Sequence, residues 1–268
     1  MGLALATDLY ELTMAQSYWE HGMHGQAVFS LFVRTLPHGR GYLVAAGLED
    51  VLRYLEGLHL TASDLQYLES TGIFSPSFLE YLASLRFTGE VWAVAEGSLV
   101  FANEPILEVK APIIEAQLAE TYIINQVHLQ TVIATKAARC VWAAQGRALV
   151  DFSFRRTHGV EAGLKVARCC YLVGFAATSN VLAGKVYGIP VAGTMAHSYI
   201  MAFPSELEAF QAFVRSFPER SILLIDTYDT VQGARIAAQV GQEMAQRGHR
   251  LRGVRLDSGD LLSLSREV

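Results

Sequence analysis

The sequence predicts an α/β fold in two parts. A mixed N-terminal α/β domain covers residues 1–128, and an irregular βα-barrel-like domain, incomplete at its C-terminus, covers residues 129–268. Two patterns point there. From residue 148 onward, five short apolar runs alternate with helical stretches, the grammar of a parallel sheet or a βα barrel. Before that point, helical and strand periodicities are interleaved without such regularity. Composition agrees with a packed fold, since 51% of the 268 residues are hydrophobic and only 18% are charged, too apolar for a disordered chain.

In chain order, residues 8–19 place apolar side chains at helical spacing, and AVFSLFV (27–33) reads as a strand. Residues 43–58 and 62–70 read as helices. Residues 91–109 read as two or three short strands, with turns at Glu96-Gly97 and at Asn103-Glu104-Pro105. Pro112 sits where a first helical turn tolerates proline and opens a helix to about Ala144. Its apolar residues lie on all sides, which predicts burial or an interface. The strand candidates that follow are 148–152, 175–177, 190–192, 222–225 and 251–255, with helices expected at 160–173, 180–187, 197–215 and 230–247. The last unit stops at Val268 as a helix begins, so the sequence is expected to be the front part of a longer protein.

Composition excludes several function classes. A net charge of −5 argues against nucleic acid as a partner. Three cysteines without a CxxC support neither a disulfide framework nor a zinc knuckle and fit a reducing compartment. Residues 186–205 lack Asp, Glu, Lys and Arg, long enough for a bilayer, but Gly188, Pro190, Gly193 and Pro204 interrupt the run. No membrane association is expected. Asp8 and Glu11 break the apolar start, so no secretory signal is expected, and Ala6 stands where N-myristoylation after Gly2 requires Ser or Thr. The expected compartment is the cytoplasm.

In βα proteins the working residues lie where strands end. Here the strand ends carry DFSFRR (151–156), TSN (178–180), GTMAH (193–197), DTYD (226–229) and RLDSGD (255–260). Each has an ordinary reading as a helix cap or a surface ion pair, and Asp229 reads equally as a helix cap and as a site residue. Five in register assemble arginines for an anion, carboxylates for hydroxyls or a divalent cation, and aromatics for a planar ring. GxGxxG, Walker A, HExxH and GxSxG are absent. His21 and His24 lack ligand partners in sequence and read as a solvated helix end. The residues alone reach an enzyme acting on a small anionic, phosphorylated substrate.

TDLYELTM (7–14), DFSFRR, TSNVLAG (178–184), GTMAH, DTYD and RLDSGD, in that order, resemble the signatures of the nicotinate phosphoribosyltransferase family. The resemblance implies a type II phosphoribosyltransferase fold. It also implies condensation of nicotinate with phosphoribosyl pyrophosphate to nicotinate mononucleotide and pyrophosphate, coupled to ATP hydrolysis, with Mg²⁺ as cofactor. Phe152 and Tyr10 are expected to sandwich the pyridine ring, Tyr10 from the second subunit of a homodimer, with Arg255 and Thr194 near the substrate. Ser179 stands where the nicotinamide-using relatives carry an aspartate, which favours the acid over the amide. Arg34 and Arg155 are expected to hold the diphosphate, and Asp226, with Asp257 second, the ribose hydroxyls or the anomeric charge. The resemblance makes His197 a phosphohistidine, against the reading of a packed core histidine. Two other readings stay open, a quinolinate-type phosphoribosyltransferase and an inactive truncated dimerisation partner.

Overall fold

In the computed structural model, residues 3–268 are described. Met1 and Gly2, where the failed acylation motif begins, lie outside them. The chain divides into two compact units, one ending at Val191 and a second spanning Ala192–Val268. Residue 128, the end of the expected first domain, lies within a continuous helix, Ile113–Ala144.

The first unit begins with α1 (Leu9–Glu20) and β1 (Gln26–Phe32), both where the periodicity places them. Residues 43–58 depart from the expected single helix. Leu43–Val44 form strand β2, and α2 (Leu48–Glu56) starts only after Gly47. The reason is local. Gly47 adopts φ +104°, and a Cβ there would lie 2.8 Å from the Gln126 carbonyl oxygen, so the chain turns where only glycine fits. α3 (Ala62–Ser70) forms as expected, closed by a Thr61–Asp64 capping box. α4 (Pro76–Ser84) has no counterpart in the sequence reading, although Ser75 caps it and Pro76 opens it.

Strands β3 (Glu90–Ala93), β4 (Leu99–Val100) and β5 (Pro105–Pro112) follow. β5 is the centre of an antiparallel sheet ordered β1-β5-β3, and β2 pairs with β4. α5 (Ile113–Ala144) runs beneath them, with Pro112 as its N-cap residue rather than its first turn. The Thr135 and Thr131 hydroxyls of α5 accept the N–H groups of Val44 and Ala46 at 2.9 and 3.2 Å, seating β2 on the helix. Phe78, Leu82, Val51, Ala111 and Ile114 form the middle of this core. The rest of the unit has βα order: β6 (Val150–Asp151), α6 (Val160–Leu172), β7 (Ala177–Thr178) and α7 (Val181–Tyr187). β6 and β7 are parallel, and a parallel bridge joins Thr178 to Val191, where the third strand was expected.

The second unit holds α8 (His197–Met201), α9 (Glu206–Ser216), β8 (Ile222–Leu224), α10 (Thr230–Gln246), β9 (Gly253–Arg255) and α11 (Leu261–Glu267). The single helix expected over 197–215 is two, because Pro204 cannot continue a helix and Ser205 caps the next one. β8 and β9 are parallel. Leu223, Leu224, Ile225 and Phe210 are completely buried in this unit's core. α10 crosses the end of β8 so closely that a Cβ on Gly233 would lie 2.2 Å from the Ile225 carbonyl oxygen. That packing fixes the backbone leading into Asp226. No helix among the described residues is long and apolar enough to cross a membrane, and residues 186–205 divide among short elements.

Candidate active site

Each unit carries part of the expected site. In the first unit, Asp151 ends β6 with its carboxylate buried. It accepts from the Ser153 N–H and hydroxyl at 2.9 and 2.6 Å, and from the Thr178 hydroxyl at 2.8 Å. Its carbonyl takes the Ser179 N–H at 2.7 Å. One aspartate thus ties together the two strand ends that present Phe152 and Ser179. Phe152 is 49% exposed, so it is not the packed core residue that a strand end usually supplies. The Ser179 hydroxyl makes no hydrogen bond among the described residues, although neighbouring Asn180 caps α7 through Ala183 N–H.

Arg155 lies exposed in a 3₁₀ turn, Phe154–Arg156, and Arg34 is exposed after β1. Neither forms a salt bridge among the described residues, and no hydrogen bond brings them together. Tyr10 is 46% exposed on α1, and its hydroxyl donates to Glu120 of α5 at 3.2 Å. Burial and the Glu120 and Glu11 carboxylates push its phenol up from the usual range.

The second unit brings five expected residues into one network. Arg255, at the end of β9, donates from Nη1 to the Thr194 hydroxyl at 2.7 Å, and its Nη2 lies 3.7 Å from Asp257 Oδ1. Asp257 Oδ2 faces His197 Nε2 at 3.5 Å. His197 Nδ1 lies 3.1 Å from the Thr227 hydroxyl. Asp226 Oδ2 accepts from the Asp257 N–H at 2.9 Å and the Ser258 hydroxyl at 2.6 Å. Burial raises the Asp226 carboxyl, but those two donors and His197 outweigh it, so the group is held below the usual carboxylate range. The network assigns the His197 tautomer: a carboxylate opposite Nε2 favours the proton there and leaves Nδ1 to accept the Thr227 O–H.

Two atoms of this network stay unspent. Asp226 Oδ1 and Arg255 Nε are buried without a partner among the described residues. Buried polar groups are almost always hydrogen-bonded, so an acceptor and a donor orphaned on one rim mark positions for a ligand's own polar atoms.

Sequence reasoning missed Thr227 and Ser258, whose roles are to orient His197 and Asp226, and it missed Asp151 as the strut of the first unit's loops. All three sit inside the motifs already singled out, but their partners are non-local. Asp229 resolves to the ordinary reading, accepting the Gln232 N–H at 2.7 Å as the cap of α10. Asp260 likewise caps α11. Burial pushes the Cys169 and Cys170 thiols up to about 12, which suits inert core residues.

A family model described as the nicotinate phosphoribosyltransferase N-terminal domain matches residues 5–128, and one described as the nicotinate phosphoribosyltransferase family matches residues 147–267. A nicotinate phosphoribosyltransferase of Mycobacterium tuberculosis is 55% identical over 263 residues, covering 98% of this chain and 56% of that protein. The enzyme of that name from Bacillus subtilis is 45% identical over 268 residues, covering 99% and 54%. The crystal structure of human nicotinic acid phosphoribosyltransferase superposes with a TM-score of 0.90 at 34% identity, covering 97% of this chain and 63% of that one. A nicotinate-nucleotide pyrophosphorylase from Pyrococcus furiosus shares the fold at a TM-score of 0.81 and 23% identity. The chain spans a little over half the length of the curated relatives it matches.

Proposed function

The chain belongs to the nicotinate phosphoribosyltransferase family, and we propose that the protein transfers ribosyl phosphate from phosphoribosyl pyrophosphate to nicotinate. The products are nicotinate mononucleotide and pyrophosphate, as the first step of NAD synthesis from nicotinate in the cytoplasm. The observation that carries this reading is the network of Thr194, His197, Asp226, Arg255 and Asp257, with its orphaned Asp226 Oδ1 and Arg255 Nε. One atom suits a hydroxyl or a developing cation, the other an anion.

In the proposed reaction the bond from the anomeric carbon to the diphosphate breaks while the pyridine nitrogen bonds to that carbon, through an oxocarbenium-like state. The protein then acts mainly by placing charge. Asp226 Oδ1 faces a ribose hydroxyl or the cationic carbon, and a carboxylate held below its usual range stays ionised for that task. Arg255, braced by Thr194, serves the nicotinate carboxylate. Phe152 and Tyr10 enclose the ring, Tyr10 from the second subunit of a homodimer, and Arg34 and Arg155 neutralise the diphosphate. No group of three or more His, Cys, Asp or Glu side chains arranged for a metal occurs among the described residues. Mg²⁺ is proposed as the cofactor, and Asp226 and Asp257 are the carboxylates of this network that would be available to hold it. When bound, the ion stabilises the leaving diphosphate.

ATP coupling is assigned to His197. In the tautomer set by Asp257, the Nδ1 lone pair attacks the γ-phosphorus as the bond to the leaving ADP oxygen breaks. The Nε2–H then donates to Asp257, which steadies the imidazolium. Pyridine-nucleotide formation by the full chain, assayed with and without ATP, tests the whole reading. ATP-stimulated synthesis from nicotinate supports it. Synthesis only from the dicarboxylate quinolinate, or none at all, overturns it.

A further inference from the structure

Glu11 lies on the first turn of α1, directly after Tyr10, and its side chain is completely buried. Three oxygen–oxygen contacts surround it. Its Oε2 meets the Thr7 hydroxyl, its Oε1 lies 2.7 Å from the Thr121 hydroxyl of α5, and that same hydroxyl lies 2.7 Å from Asp8 Oδ2. Oε1 also accepts the Thr121 N–H at 3.0 Å. Each close contact between oxygens requires one hydrogen. Two threonine hydroxyls supply two hydrogens for three contacts, so giving each contact its own hydrogen places the third on a carboxyl instead of sharing the Thr121 hydrogen between two carboxylates. Asp8 is exposed and Glu11 is not, and burial disfavours the charged form.

We propose that Glu11 carries a proton in the folded protein and, as a neutral acid, latches the first turn of α1, and with it Tyr10, onto α5. The hydrogen count then closes in one direction. Thr7 donates to Glu11 Oε2, Glu11 donates from Oε1 to the Thr121 hydroxyl, and Thr121 donates to the ionised, exposed Asp8. The surroundings fit a neutral acid. None of the salt bridges among the described residues includes Glu11. The titratable groups facing it are Asp8 just before α1, Tyr10 on α1, Glu120 on α5, and Tyr54 on α2, whose buried hydroxyl has no partner among the described residues. Burial is the largest influence and pushes the Glu11 carboxyl up to about 7, with Glu120 adding to the rise and the Thr121 hydrogen bonds opposing it. Tyr10 donates to Glu120, the neighbour of Thr121, so the latch and the tyrosine share one stretch of α5. Glu11 is therefore a positioning residue for Tyr10, a role that rests on the reading that Tyr10 meets nicotinate.

The test compares thermal unfolding of wild type and Glu11→Gln across pH. A group whose carboxyl rises from about 4.5 in the unfolded chain to about 7 in the fold stabilises fully below 4.5 and loses that contribution as pH climbs through 7. An amide at this position cannot both accept the Thr121 N–H and donate to the Thr121 hydroxyl through one atom. The wild-type advantage in Tm should therefore be largest at acid pH and fall between about pH 4.5 and 7. An advantage that grows with pH over that window means an ionised Glu11 and overturns the proposal. If Glu11→Gln does not fold, carbon-13 NMR of glutamate carboxyls in the wild type supplies the answer. One resonance, displaced by Thr121→Val, should titrate near 7; titration of that resonance at the ordinary glutamate position overturns the latch. In the full chain, KM for nicotinate should rise as pH passes 7 in wild type and stay flat in Glu11→Gln. A KM blind to a titration that Tm follows overturns the link to Tyr10. Failure to form any nucleotide at all pH values strikes the proposed function and leaves the Tm and NMR results standing.

Discussion

Asp151 and Asp226 occupy the same place in the chain's grammar, at or just past the end of a buried parallel strand, and the two units use them in opposite ways. Both oxygens of Asp151 are spent on protein, on Ser153 and Thr178. Asp226 spends only Oδ2, on Asp257 and Ser258, and leaves Oδ1 buried without a partner among the described residues. A carboxylate with no free lone-pair direction is a strut. One with an unsatisfied, desolvated oxygen carries a standing cost that a ligand can relieve. Residue type and position at a strand end do not separate these two cases, whereas the count of satisfied oxygens does.

The comparison breaks most sharply on substitution. Asp226→Asn keeps the shape and one acceptor but removes the charge proposed to face the cationic carbon. It should lower kcat/KM by roughly 10²–10³-fold with a small change in Tm. Asp151→Ala should do the reverse, costing about 2–3 kcal/mol in a denaturant melt because the Ser153 N–H and the Thr178 hydroxyl lose their partner. Equal stability losses at both sites would erase the distinction between a strut and a ligand-facing carboxylate. His197→Asn follows in size. ATP stimulation and acid-labile labelling from γ-phosphate should vanish, while slow ATP-independent synthesis persists, since Asp226 keeps its Asp257 and Ser258 donors and Arg255 keeps Thr194 without the imidazole. Labelling that survives the substitution would return His197 to a structural role.

The legibility of the two units differs for the same physical reason. α1, β1, α3, α6, α7 and α10 were readable because each rests on local signals: periodicity, a cap or a breaking residue. The split of 43–58 was not, because Gly47 turns there to clear the Gln126 carbonyl, a contact made across nearly eighty positions. α4 was missed although Ser75 and Pro76 signal its start. At the candidate site, the motif residues were legible but their pairings were not. Thr227 on His197 and Ser258 on Asp226 join positions about thirty residues apart, a distance over which periodicity is silent. Gly233 sharpens the point for stability. In sequence it is one more glycine in a helix, where alanine is usually the better residue. In the fold a Cβ would press on the Ile225 carbonyl at 2.2 Å, so Gly233→Ala should destabilise by about 2–3 kcal/mol and shift the backbone that leads into Asp226. A stabilised variant would show that α10 is free to move off β8.

Ser179 gives the smallest effect and the finest test, because it lies in the first unit beside the strut and yet is read as part of the site. Its backbone N–H is committed to Asp151, whereas its hydroxyl is uncommitted among the described residues. If that hydroxyl is structural, aspartate at this position disturbs only the Asp151 neighbourhood and reduces turnover of nicotinate and nicotinamide alike. If it faces the substrate, a carboxylate repels the nicotinate carboxylate and accepts from the nicotinamide N–H. The ratio of kcat/KM for the two pyridines should then move toward the amide by about tenfold to a hundredfold, or about 1.4–2.8 kcal/mol. Because a ratio cancels any common loss from misfolding, the outcome reads selectivity alone. A ratio that does not move would remove Ser179 from the pocket and class it with Asp151 as scaffold.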